Sequence, residues 1–194
     1  LEPEHMSCYQ LTIEPHTPFG DRSAAGELLA AGEELTREMF LESSATLKEA
    51  GFTHYEVSNL ARGDAYRSRH NTGYWRRRPY LGLGPSAHSF DGSKRRWNHG
   101  ALDAWLAALE AGGDPSSGFE ELSNDQARAE QLMLGFRTLD GVEKGLLESH
   151  PGWEDTLGEL VDLSLVRVEE NRVVPTPEGF LVADQLPVLF MQDG

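Results

Sequence analysis

The sequence predicts an α/β fold over residues 1 to 118, followed from 119 to 194 by a small helical domain that carries a hairpin. Three observations lead there. A strand pattern, a helix pattern and a second strand pattern follow one another through short connections, the order of a parallel α/β unit. The stretch GGDPSSG at 112–118 then interrupts the pattern as the strongest linker in the chain. Beyond it, helical periodicity alternates with one short two-stranded run.

The first element is MSCYQLTI at 6–13, whose Tyr, Leu and Ile content fits a strand buried on both faces and ended by Glu14-Pro15. A polar loop with two prolines and two glycines follows. From 32 to 50 the spacing of Leu35, Met39, Ser43 and Leu47, flanked by Phe40 and Ala50, predicts a helix with one apolar face, stopped by Gly51. FTHYEVSNL at 52–60 reads as the second strand, with Glu56 and Asn59 as polar groups near its end. Next comes an arginine-rich loop that carries HNTGYW at 70–75, and then PYLGLGPSAHSF at 79–90, a strand end with a tight turn. Gly82, Gly84 and Ser86 do not make a dinucleotide fingerprint, because the third glycine and the following helix are missing.

ALDAWLAALEA at 101–111 predicts a short helix with Leu102, Trp105, Leu106 and Leu109 inward. Ser123 and Gln126 form a capping box for a helix running to about Leu139, with Leu132, Met133 and Phe136 as its buried face. A helix over 153–163, a hairpin turning at Glu170-Asn171 and a last helix over 177–190 complete an order like that of a winged-helix domain. Residues 121–194 carry five basic and 15 acidic side chains, which speaks against DNA as the partner.

The chain as a whole has net charge −15, so a general nucleic-acid binder is not expected. The charge is segregated. Residues 62–96 hold nine of the 17 basic residues against two acids. Such a window suits an anion, or is simply a solvated loop. No run of apolar residues is long enough to span a membrane and no signal pattern opens the chain, so the cytoplasm is the expected compartment. Cys8 is the single cysteine, which excludes an internal disulfide and any multi-thiolate metal site within the chain. Its apolar neighbours predict a buried, inert thiol.

Five stretches in this order, SCYQLTIEPHTPF, HYEVSNLAR, RHNTGYWRRRPYLGLGPSAHSF, LMLGFRTLDGV and LVRVEENRVVPTPEGFLVADQL, resemble the C-terminal half of the HemW-type radical S-adenosylmethionine proteins. These are relatives of oxygen-independent coproporphyrinogen III oxidase (HemN). The resemblance spans nearly the whole chain, and the HNxxYW element points to the HemW branch. It implies the C-terminal portion of a partial (β/α) barrel joined to a winged-helix-like domain. It also implies a [4Fe-4S] cluster and S-adenosylmethionine in the full-length protein, and a function as a heme chaperone that hands heme to acceptor proteins. The other reading is oxidative decarboxylation of coproporphyrinogen III. The family's CxxxCxxC cluster motif is missing here, so the chain by itself is expected to be inactive as an enzyme. An open barrel edge makes self-association a further expectation.

For a heme or tetrapyrrole ligand, the resemblance makes His70 the candidate axial ligand of iron. Tyr74 and Trp75 either stack on the macrocycle or anchor the loop, and Asn71 belongs to the same element. Arg69 and Arg76, with Arg77 and Arg78, are candidates to pair with tetrapyrrole carboxylates, several of them being expected only to solvate the loop. By family position, Gln10 and His88 fall near S-adenosylmethionine; the alternatives are an inward strand glutamine and a core histidine.

Overall fold

The computed structural model describes residues 2–191. Its elements form a mixed α/β fold with three small antiparallel sheets. In the first, β1 (His5–Ser7) and β2 (Thr53–Glu56) flank β3 (Asn59–Ala61), which runs antiparallel to both. The strand expected over 52–60 is thus a hairpin. Its turn is tied by the Ser58 backbone N–H, which donates to Oε1 of Glu56 at 3.0 Å. Strand β1 and strand β2 do run in the same direction, as the α/β reading requires, but β3 stands between them. The strand expected over 6–13 ends at Ser7. The Cys8 N–H still bonds the Ser58 carbonyl at 2.8 Å, and beyond it no neighbouring strand supplies a ladder. Tyr9 and Leu11 are therefore 75% and 69% exposed rather than buried, because β-prone side chains make a strand only where a partner satisfies the backbone.

The polar loop that follows contains a helix, α1 (Pro18–Ala24), started by the Thr17 cap and Pro18 in its first turn. Helix α2 (Glu33–Glu49) ends at Gly51, whose φ is +86°, as its sequence predicts. Its inward face is rotated from the expected one. Leu35 and Met39 are exposed, while Phe40, Ser44 and Leu47 face the protein. Ser44 is tolerated inside because its hydroxyl bonds His54.

Residues 69–75, expected as a loop, form helix α3 (Arg69–Trp75). The second sheet has the order β4 (His88–Phe90), β5 (Lys94–Asn98), β6 (Ser116–Glu121), with α4 (Leu102–Glu110) linking the last two. The expected linker at 112–118 therefore runs into a strand, and the boundary after 118 falls inside β6. Gly118 is there for packing: a Cβ would sit 2.6 Å from the Trp97 ring. Leu102, Leu106 and Leu109, expected inward, are exposed.

The main core lies in the C-terminal third. Helix α5 (Asn124–Gly135) has the predicted Ser123/Gln126 capping box and buries Leu132, though Met133 is exposed. Helix α6 (Trp153–Asp162) and the hairpin of β8 (Val166–Glu169) and β9 (Arg172–Pro175) also follow the sequence, and β7 (Val142–Glu143) adds a third strand beside β9. The single helix expected over 177–190 is instead α7 (Pro177–Leu181) and a short 3₁₀ turn, Pro187–Phe190, opened by its proline. Leu132, Phe136, Leu147, Val173, Leu186 and Phe190 are all but inaccessible to solvent at its centre. Two backbone bonds join this core to the first sheet: Val57 N–H to the Arg137 carbonyl at 3.0 Å and Leu139 N–H to the Tyr55 carbonyl at 2.9 Å.

Candidate functional site

Helix α3 exists because its ends are closed locally. Ser68 caps it, its hydroxyl accepting from the Asn71 N–H at 3.2 Å, while the Ser68 N–H donates to the Tyr55 hydroxyl at 3.0 Å. At the other end Arg77 takes φ of +50°, and the N–H groups of Arg77 and Arg78 bond the Tyr74 and Gly73 carbonyls, each at 2.9 Å. That is the bonding of a Schellman stop, built on an arginine where glycine is the unstrained choice. The Arg77 side chain makes contacts a glycine could not, pairing with Glu130 of α5 at 3.0 Å and lying 5.2 Å over the Phe90 ring.

The helix deals the sequence-predicted residues onto different faces. His70 and Tyr74, one turn apart, meet edge to face with ring centroids 4.7 Å apart, and Tyr74 meets Tyr80 the same way at 4.8 Å. His70 is exposed, and neither ring nitrogen has a hydrogen-bond partner among the described residues. Asn71 is half-buried between the faces. Trp75 is turned away from His70, into a cleft of about 760 Å³ between α3, α5 and β9, where its indole N–H is buried without an acceptor. Trp75 thus lines the cleft and Tyr74 stays beside the histidine.

The basic window is largely an intramolecular network rather than a merely solvated loop. Two nitrogens of Arg76 reach Asp140 at 2.6 and 2.7 Å, and Arg67 reaches the same carboxylate at 3.4 Å. Glu130 joins Arg77 to Arg95, which lies 2.7 Å from its other oxygen. This bond to Glu130 raises the already high pKa of Arg95. Arg76 is thus committed to Asp140, whereas Arg69 is exposed and has no carboxylate partner among the described residues.

Gln10 lines a second cleft, of about 480 Å³, between the 8–13 segment and α2, with its side-chain N–H donating to the Thr36 carbonyl at 3.2 Å. His88 lies elsewhere, exposed on β4 beside Trp97, so the two family positions do not converge within this chain. The cleft is lined by no Asp, Glu, Lys or Arg, and half-buried Cys8 and the polar side chains of Gln10, Thr36 and Ser43 are among its walls. One thiol cannot hold the iron-sulfur cluster, and no group of three or more metal-ligating side chains occurs among the described residues. Glu56 and Asn59 are fully buried parts of the β2–β3 turn rather than pocket groups.

His54 was not singled out by sequence. It is wedged between Phe40 and Phe180, with Nδ1 on the Ser44 hydroxyl at 2.8 Å and Nε2 on the Val57 carbonyl at 3.1 Å. The carbonyl can only accept, so Nε2 carries the proton and Nδ1 accepts from Ser44. Burial lowers its pKa from 6.5. The unfolded chain then binds the proton first. This contribution to stability is complete above about pH 6.5 and is lost as the pH falls below it, by up to about 1.4 kcal/mol per pH unit. Thermal melts between neutral and mildly acidic pH should show that slope, and His54→Gln should flatten it.

No protein-family model matches the chain. Curated relatives do. It is 38% identical to the heme chaperone HemW of Synechocystis over 76% of this chain and 36% of that protein. It is 33% identical to the HemW of Mycobacterium tuberculosis over 93% of this chain and 46% of the relative. The mitochondrial radical S-adenosyl methionine domain-containing protein 1 of Danio rerio is 35% identical over 78% and 34%. Among solved structures, the radical SAM enzyme coproporphyrinogen III oxidase (HemN) from Escherichia coli matches with a TM-score of 0.64 at 16% identity, covering 98% of this chain and 48% of that one. At that identity the likeness is one of fold. The chain spans less than half the length of each of these proteins. No helix among the described residues is long and apolar enough to cross a membrane. The ordered motifs, the relatives that cover most of the chain and the shared fold place it in one group: the chain belongs to the HemW-type family of radical S-adenosylmethionine proteins.

Proposed function

We propose that this chain is part of a heme chaperone and that the exposed face of α3 receives the heme, with His70 as axial ligand to iron. The observation that carries the reading is the His70 imidazole, solvent-facing and free of hydrogen bonds among the described residues, buttressed by Tyr74. A neutral imidazole with a free nitrogen is the form that binds iron. Tyr74 and Tyr80 supply an aromatic flank for one edge of the macrocycle, and Asn71 lies at its rim. Trp75 and Arg76 act indirectly, by anchoring the helix to α5 and Asp140. Arg69 lies with Arg76 on the neighbouring face of the helix and has no part in this heme site. The heme would pass to acceptor proteins. The cluster and S-adenosylmethionine belong, in this proposal, to the whole protein and not to a site completed here. A half-barrel portion that ends with β6 and a winged-helix-like unit from α5 onward, with self-association at the open edge of β1, are the matching architecture.

Titration of the chain with heme, followed by visible absorption, tests the site. The parent should show a saturable Soret shift, and His70→Ala should weaken binding at least about tenfold, the loss of one coordinate bond being worth more than about 1.4 kcal/mol. An unchanged spectrum and affinity in the variant would remove His70 from the site. The oxidase reading rests on likeness of fold to HemN. Porphyrinogen decarboxylation by the full-length protein would favour it over the chaperone.

A further inference from the structure

Helix α3 has a second polar face. Residues 69, 72 and 76 lie together, separated by more than a quarter of a turn from His70 and Tyr74, because each residue advances the helix by about 100°. On that side Arg67, Arg69, Arg76 and Arg78, with Thr72, surround a pocket of about 460 Å³. Among the described residues two carboxylates, Asp64 and Asp140, line it with them.

Those two acids are already engaged. Asp64 holds Arg67 at 2.9 Å, and Asp140 bridges Arg67 and Arg76. The result is a fixed floor of two oriented guanidinium groups. Arg69 and Arg78 stand at the rim, exposed, with no carboxylate within 4.0 Å among the described residues. Arg78 reaches this place only because the chain reverses through the left-handed conformation of Arg77, which brings its N–H back to the Gly73 carbonyl. Four positive groups against two negative ones leave a surplus of two charges in a protein whose net charge is −15. Guanidinium groups match oxyanions through paired N–H donors, and the Thr72 hydroxyl adds an uncharged donor.

We propose that this pocket binds a doubly charged oxyanion, the phosphate group of a phosphomonoester, independently of the heme face. A phosphate neutralises the surplus and offers several acceptor oxygens at one centre, as donors converging from four side chains require. The site uses no residue of the His70 and Tyr74 pair, so its occupancy and that of heme are separable.

Phenyl phosphate, titrated into the chain by calorimetry at low ionic strength and about pH 7.5, where such esters are dianionic, tests the proposal. One saturable site is expected, weakened by added salt and by at least about tenfold in the Arg69→Gln/Arg78→Gln double variant. Both side chains are exposed, so the variant should melt like the parent, and a thermal melt checks this. His70→Ala should bind phenyl phosphate as the parent does, which keeps this result distinct from the heme titration. Absence of saturable binding, or equal affinity in the double variant, overturns the site. Malonate binding more tightly than phenyl phosphate overturns the phosphate assignment, and weakening by His70→Ala overturns the independence of the two faces.

Discussion

Replacing Phe136 with alanine should lower the unfolding free energy by about 3–5 kcal/mol, read as a shift of the urea midpoint. Phe136 is 0% exposed, and its ring stacks on Phe190 with centroids 6.2 Å apart. Removing it leaves a cavity among Leu132, Val173 and Leu186, side chains held by a helix, a strand and a packed turn that have little freedom to close it. The residue is also the C-cap of α5. The next three residues include Arg137 and Leu139, whose backbone groups bond Val57 and Tyr55. Loosening this point therefore reaches the first sheet and, through the Tyr55 hydroxyl, the Ser68 cap of α3. Phe136→Leu, which keeps most of the volume, should cost less than half as much. A loss below about 1 kcal/mol for alanine would mean that the core collapses to fill the space.

The second large effect is expected from Gly141→Ala. Gly141 has φ of +61°, and a Cβ there would lie 2.4 Å from the Val173 carbonyl oxygen. Left-handed backbone costs an alanine about 1–2 kcal/mol, and the contact with a backbone atom of β9 can be relieved only by moving the strand. A total loss above about 3 kcal/mol is expected, measured by urea unfolding. The same substitution bears on function because Asp140, one residue before, carries Arg67 and Arg76. Displacing this turn should weaken phenyl phosphate binding even in the fraction that remains folded. Gly145→Ala serves as the control, since nothing lies within 4 Å of the added methyl and the stability should stay within about 0.5 kcal/mol.

Local signals were read well where they were strong. The Ser123/Gln126 capping box, the periodicity of α6 and the turn at Glu170-Asn171 each specify their element through neighbours in the chain, and the structure has all three. Residues 69–75 were misread because glycine, polar side chains and arginines look like a loop. Their helix depends on the Ser68 cap and on tertiary pairs to Glu130 and Asp140. The stretch 6–13 was misread in the opposite sense, since its β-prone residues have a strand neighbour only as far as Ser7.

The sequence by itself determined the family, through ordered motifs in a chain about a third identical to its relatives, and the separation of a basic window from an acidic remainder. Only the tertiary structure decided what that window does. The acids that neutralise Arg76 and Arg77 lie 64 and 53 residues away, so no local pattern could show that these arginines are spoken for while Arg69 and Arg78 are not. Likewise, only the turn of a helix could put His70 with Tyr74, Trp75 into the cleft beside α5 and Arg69 with Arg76, because a linear motif of adjacent letters becomes three faces once its backbone coils.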